Sequence, residues 1–457
     1  MVFSGLPFLF FFLPLTLAAY FLVPLKFKKV VLLIFSIIFY AWGEPVYVLL
    51  MLLSIAVNFA MALFAYQKKL PLIIAIVYNL AMLGVFKYAG LFLTTISNLT
   101  GIYISDPGLE LPIGISFYTF QAMSYVIDVY RGDVKATKNP IDFGAYLSMF
   151  PQLIAGPIVR YKTIEKELKD PAISIENFSY GISRFVVGLG KKVLLANSIG
   201  RVWTQISHVG KDDLSMATAW IGIAAFTLQI YFDFSGYSDM AIGMGRMLGF
   251  SFLENFDHPY ESKSITEFWR RWHMSLGTWF REYVYYPLGG SKKGQGRQLF
   301  NIFIVWMLTG FWHGASWNFL LWGVYYAVLL FIEKLWLLKK LEKAPKALST
   351  IYTLFFVALG WAVFSWQDIW DVQGFFASMA GFGGRGIADP STFYFIRSYV
   401  ILFVIAAVGS TTLPKRLWGR LTKNAAVPLY IFEAAVCVLS VACLVSDTYN
   451  PFLYFRF

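Results

Sequence analysis

The chain has 457 residues, of which 58% are hydrophobic and only 14% charged, whereas a water-facing globular surface needs roughly 25%; it is read as an integral membrane protein. Lys and Arg outnumber Asp and Glu by 38 to 26, but no solvated basic domain carries the +12 excess, which argues against nucleic acid and for basic membrane loops. Cys437 and Cys443 share one late apolar run, which leaves no disulfide framework and no CxxC metal site, and both are expected to be reduced and buried.

A helix needs roughly 20 apolar residues to cross a hydrocarbon core about 30 Å thick. Windows that approach this run from Leu6 to Leu25, Val30 to Trp42, Val46 to Tyr66, Leu72 to Ser97 and Ile113 to Val129. The later ones are Met216 to Phe232, Gly236 to Phe250, Phe300 to Ile332 in one or two pieces, Ile351 to Trp366, Phe393 to Val408 and Val427 to Val445. The expectation is an all-α membrane protein of about 10–12 crossings, with re-entrant and interfacial helices besides. The N-terminus lacks a charged leader region and a cleavage context, so the first window is read as a retained span. No repeat or linker is visible, and residues 1–457 are read as one membrane-embedded domain.

Basic clusters from Lys26, Gln67, Arg131, Arg160, Ser291, Glu333 and Pro414 fall on one side, and the cation-poor loops on the other. Since cytoplasmic loops concentrate Lys and Arg, both termini are expected outside. Pro151, Gly156 and Pro157 interrupt the short apolar run 143–161, which is read as re-entrant, because irregular backbone at membrane depth must be buried in protein or line a cavity.

Polar groups inside apolar windows are costly and therefore informative. Asp233, Asp239 and Arg246 sit in one such run, where ion pairing that holds helices together is favoured over a catalytic role. Lys87 is read in the same way, with snorkelling of its long stem to the interface as the alternative. Gln121, Ser124 and Asp128 form one polar stripe on an apolar helix, the pattern of a wall facing a hydrated cavity.

Of four histidines, His208 and His258 lie in polar loops and are assigned no role, and none has HxH or HExxH spacing, so no metal is expected. Ser264 followed by Glu267 is a capping-box start, and the helical spacing of Trp269, Trp272, His273, Leu276 and Phe280 puts His273 on an aromatic face. Alone, such a histidine is more often a hydrogen-bonded packing residue than a catalyst. His313 is different: it lies in an otherwise uncharged span, flanked by Gly310 and Gly314, which let another group approach. Thr309, Ser316 and Trp317, at helical spacings of four, three and four from it, are expected to line the same cavity. An intramembrane ionisable residue of this kind is a functional candidate by default.

Taken in order, PQLIAGPIVRY, YFDFSGYSDMAIGMGRMLGF, FWRRWHMSLGTWFREYVYYPLGG and TGFWHGASWNFLLWG resemble the membrane-bound O-acyltransferase family, in particular its bacterial alginate O-acetylation branch. The resemblance covers roughly Phe86 to Trp322 and the terminal PFLYFRF, and PLGGSKKG favours that branch over D-alanyl transfer to teichoic acid. It implies a ring of membrane helices with a central catalytic channel. It also implies an essential intramembrane histidine, which maps to His313, and a second polar partner, which maps to His273. The implied donor is a cytosolic acyl thioester, most simply acetyl-CoA or else a carrier-bound acyl group, with no bound cofactor. An extracytoplasmic esterase-like partner enzyme and a place in the bacterial cytoplasmic (inner) membrane are implied as well.

Arg270, Arg271, Lys292 and Lys293 are candidates to meet the phosphates of coenzyme A, although the same charges satisfy the positive-inside rule. The tail NPFLYFRF is read first as an interfacial anchor. A sharper expectation is that it folds into the outer cavity and presents Tyr454 to His313 as an acyl relay. D-alanyl transfer is the alternative within chemistry, and a transporter or flippase is the alternative from another class.

Overall fold

The computed structural model describes residues 1–453 apart from 107, 155, 211–212, 367, 422–426 and 448. Among the described residues every regular element is helical, apart from one isolated antiparallel bridge between Phe256 and Trp272. That is what hydrocarbon requires, because a helix satisfies its own backbone groups. Seven helices among them are long and apolar enough to cross a membrane: Val48–Ala65, Lys69–Thr100, Met216–Met247, Trp317–Lys343, Lys346–Ser365, Pro390–Gly409 and Val427–Ser446. Phe8–Leu22 is a shorter apolar helix. The chain is an all-α, multi-pass membrane protein.

Two windows, Met216 to Phe232 and Gly236 to Phe250, prove to be one continuous helix, Met216–Met247. Gly236 does not interrupt it; a Cβ there would lie 2.8 Å from the Gly188 carbonyl oxygen, so its role is close packing. Cys443 is exposed on its helix, contrary to the expectation of burial.

The chain forms two compact units, Met1–Val186 with Tyr237–Glu254, and Val187–Gly236 with Asn255–Phe457. In the first, an aromatic cluster of Phe3, Phe8, Phe12, Phe39 and Phe150 fills the core. Helix Ile175–Gly190 packs against Met216–Met247 through Gly181 and Gly243, where a Cβ on either would come within 2.6 Å of the other's carbonyl oxygen. Arg184, on the same helix, pairs with Asp239 at 2.6 Å. Helix-bridging ion pairing therefore holds for Asp239. Arg246 instead donates to Ser251 Oγ at 2.9 Å, since residues seven apart on one helix sit about 10 Å apart along its axis.

The interrupted run is two short helices, Pro140–Ser148 and Phe150–Leu153, neither long enough to cross. Residues 142–154 are buried throughout. Protein groups replace the lost helical bonds: Phe150 N–H donates to Ser36 Oγ at 3.1 Å, and Gln152 Nε2 to the Tyr146 carbonyl at 2.7 Å. Lys87 does not snorkel; it is buried, with its ammonium 3.4 Å from Ser116 Oγ.

In the second unit the tightest helix pair is Gln295–His313 against Trp317–Ile332. A Cβ on Gly310 would lie 2.3 Å from the Phe319 carbonyl oxygen, and one on Gly323 would lie 2.5 Å from that of Trp306. Without hydrophobic driving force between helices in lipid, such backbone approach is a main source of attraction.

Candidate active site

His313 is the last residue of helix Gln295–His313. Gly314 follows in extended conformation, and Ser316, also extended, precedes the returning helix Trp317–Ile332. The turn depends on Gly314, where a Cβ would meet the Phe319 ring at 2.2 Å. Because the helix stops at His313, helical spacing does not carry past it. Ser316 Oγ bonds the Asn318 side chain, and Trp317 is half-exposed. Thr309, one turn earlier, is buried and its hydroxyl donates to the Val305 carbonyl at 2.7 Å. The His313 ring is buried among Trp312, Trp322 and Phe364, with centroids at 4.9, 5.0 and 5.3 Å. Asn318, which sequence reasoning missed, fixes that wall: its amide donates to the carbonyls of Val363, at 3.3 Å, and Trp366, either side of Phe364.

His273 reaches the same aromatic cluster by another route. Ser264 caps helix Ile265–Arg271 as the sequence implied, its Oγ accepting from Glu267 N–H at 3.0 Å. Glu333, 1% exposed, accepts from the N–H groups of Ile265 at 2.7 Å and Thr266 at 2.8 Å, placing a carboxylate at the helix's positive end. The helix does not run on to residue 280, however. Trp272 is extended, His273 takes left-handed φ 46° and ψ 53°, and a second helix, Met274–Phe280, begins after it. The predicted continuous aromatic face is therefore broken at the histidine.

Left-handed backbone at a residue other than Gly costs on the order of 1–3 kcal/mol and persists only where its surroundings hold it. Asn255 holds it here. Its carbonyl accepts from Met274 N–H at 3.0 Å, and its side-chain oxygen accepts from Ser275 N–H at 3.2 Å and the Ser275 hydroxyl at 2.9 Å. Asn255→Ala should therefore lower stability by about 1–3 kcal/mol, because buried Ser275 loses both of its bonds to the Asn255 side chain. Thermal unfolding of the detergent-solubilised protein checks this; an unchanged midpoint would contradict it.

The turn places the His273 ring 4.7 Å from Phe234 and 5.7 Å from Trp312. Trp312 thus lies beside both histidines. Burial pushes the His273 imidazole down to about 3, so at physiological pH it is neutral and offers one donor and one acceptor.

The remaining candidates divide. Arg270 is exposed, and Arg271 pairs with Glu267 at 2.7 Å. Lys292 and Lys293 are exposed in a glycine-rich turn that Asn301 anchors, its Nδ2 donating to the Gly290 carbonyl at 2.9 Å. Gln121 and Ser124 belong to the first unit and are fully buried, with Ser124 Oγ donating to the Gln121 carbonyl at 2.8 Å. Neither atom of the Gln121 side-chain amide has a hydrogen-bond partner among the described residues, which suits a hydrated position. Tyr454 lies outside the described residues. The stretch before it does not: Phe452 and Leu453 are buried, and Leu453 N–H donates to Asp233 Oδ2 at 2.8 Å. Asp233 is the neighbour in sequence of Phe234, the residue beside His273. Among the described residues no group of three or more His, Cys, Asp or Glu is placed to hold a metal.

Comparison with known proteins gives these features a context. Residues 134–339 match the family model described as MBOAT, membrane-bound O-acyltransferase family. A probable alginate O-acetylase of Azotobacter vinelandii is 35% identical over 100% of both chains. The peptidoglycan O-acetyltransferase of Helicobacter pylori is 32% identical over 84% of this chain and 80% of its own. The teichoic acid D-alanyltransferase of Bacillus subtilis is 29% identical over 55% of this chain and 68% of its own.

Proposed function

The chain belongs to the membrane-bound O-acyltransferase family and is an O-acyltransferase of its alginate O-acetylation branch, and from that premise we propose that it moves acetyl groups from a cytosolic thioester, most simply acetyl-CoA, across the bacterial cytoplasmic membrane for O-acetylation of an extracytoplasmic polysaccharide. The observation that carries this reading is the aromatic cluster in which Trp312 lies beside two buried histidines from separate segments. Acetyl rather than D-alanyl transfer is favoured by similarity that runs the full length with the alginate relative and covers 55% of the chain with the teichoic acid one.

In this reading His313 is the general base. It takes the proton of an attacking hydroxyl as that oxygen closes on the thioester carbonyl, a contribution of about 10²- to 10⁴-fold. His273, neutral, donates a hydrogen bond to the oxyanion that develops. Collapse of the tetrahedral intermediate breaks the C–S bond, and the thiolate leaves with the proton that His313 took. The attacking hydroxyl is that of Tyr454. The resulting phenol ester passes its acetyl to an esterase-like partner outside, so the acyl group crosses while coenzyme A stays. Phenolate, with a pKa of about 10, leaves more readily than a sugar alkoxide, which suits a relay.

Thiol release from acetyl-CoA by purified protein in nanodiscs tests the reaction class. Release that requires the chain supports it; solute flux in proteoliposomes with no thiol release would mark a transporter instead. Lys292 and Lys293, with Arg270, are proposed to meet the coenzyme A phosphates. The Lys292→Gln/Lys293→Gln variant should raise the apparent KM for acetyl-CoA and leave kcat nearly unchanged, because contacts remote from the reacting carbon bind ground and transition states alike. A fall in kcat alone would contradict this.

A further inference from the structure

The last span ends at Ser446, and the residues after it turn back onto the second unit. They follow one face of the helical stretch Lys191–Ser207. Arg201 pairs with Asp447, Thr204 Oγ1 lies 3.0 Å from the Tyr449 hydroxyl, Asn197 Nδ2 donates to Asn450 Oδ1 at 3.2 Å, and Lys192 donates to the Pro451 carbonyl. Lys192 and Asn197 are five apart, a spacing that an α-helix would turn to different faces. The wider π turn Lys191–Ala196 brings them to the same one.

At the end of this track is an ion pair, Lys192 to Asp233 at 2.7 Å, with both side chains 3% exposed. A buried pair offsets its desolvation only if its remaining donors and lone pairs are also satisfied. The Lys192 ammonium has three protons. One goes to Asp233, one to Asn197 Oδ1 at 2.9 Å, and the third to the Pro451 carbonyl. Asp233 Oδ2 in turn accepts Leu453 N–H at 2.8 Å. The tail backbone therefore completes the solvation of both ions, and alternate residues 451 and 453 supply the two contacts.

We propose that Lys192 and Asp233 are positioning residues that form a dock for the chain's own tail, reading its backbone at Pro451 and Leu453 and so fixing the register at which the tail lies against the helices. This rests on the relay reading for the use made of Tyr454, but the dock itself is a matter of the tail's position. It explains why an ion pair stands in the middle of an apolar helix, at the residue preceding Phe234. It also makes the docking reversible in principle, since the tail contributes two hydrogen bonds to the pair while Asn197 and the ions hold each other.

The test uses full-length protein with Cys437→Ala and Cys443→Ala, and Leu453→Cys as a reporter of tail burial. With the dock intact, a membrane-impermeant maleimide should label Cys at 453 slowly, as a site protected by local closure does. The Lys192→Met/Asp233→Leu variant removes both ions together, which avoids stranding one buried charge and keeps the fold. Labelling should then rise by at least about tenfold, limited no longer by local opening. Acetyl-CoA KM should stay unchanged while acetyl transfer to the acceptor falls, a split that general loss of folding would not give. If folding is lost nonetheless, Lys192→Gln/Asp233→Asn, which removes both charges together but keeps polar groups of similar shape, should still label faster than the parent protein. Equal labelling with and without the ion pair would overturn the dock and leave the relay untouched. Faster labelling with undiminished acetyl transfer would confirm the dock and overturn the relay.

Discussion

Replacing His313 with Ala should lower acetyl transfer by about 10²- to 10⁴-fold at saturating donor, the range in which a positioned general base contributes. The loss should appear in kcat, since the imidazole acts on a proton that moves only as the transition state forms. His273→Ala should cost less. A neutral imidazole that donates one hydrogen bond to an oxyanion is partly replaceable by water, whereas the base has no substitute among the rings of Trp312, Trp322 and Phe364. Turnover of the two variants decides the order, and equal, complete loss in both would mean that the pair works as one coupled unit. His273 lies too low to titrate between pH 5 and 8. Replacing it should therefore leave the position of any pH–rate limb in that range where it was, and a displaced limb would contradict its assignment as a neutral donor.

Tyr454→Phe should abolish acetylation of the polysaccharide. The substitution keeps the ring and removes only the oxygen that would carry the acetyl group. Because Leu453 N–H remains bonded to Asp233, the tail should stay docked, and loss of activity would reflect chemistry rather than position. Intact-mass measurement should find acetyl on the wild-type tail and none on the variant. Normal acetylation by Tyr454→Phe would make the tail an anchor and nothing more.

Much of this was legible in the residues. The charge deficit pointed to the class, and a lone ionisable residue among apolar ones made His313 a candidate before any relative was considered. The prolines and glycine of 151–157 marked the interruption of the helix there, because they act through local backbone chemistry. The errors share one cause, which is contact with residues distant in sequence. Periodicity runs without interruption through Trp272 and His273, and no Gly or Pro marks the break there. What bends the chain is Asn255, whose bonds to Met274 and Ser275 outweigh helical propensity. Arg184 as the partner of Asp239 is equally invisible, since it lies 55 residues away on another helix. Gly314 did signal the helix end, but its neighbours Ser316 and Trp317 were placed by a helical register that stops one residue earlier. Burial at Phe452 and Leu453 accords with the apolar character of the tail. Its dock was not, because it depends on the π turn that brings Lys192 and Asn197 to one face.

The central claim is that acetyl crosses the membrane and coenzyme A does not. Proteoliposomes loaded with acetyl-CoA, labelled once in the acetyl group and separately in the adenine, test it most directly when the partner enzyme and its polysaccharide are supplied outside. The account predicts that acetyl label appears on the external polysaccharide while adenine label stays inside, and that His313→Ala proteoliposomes export neither. Emergence of both labels together, or acetyl export by His313→Ala at the wild-type rate, would contradict it.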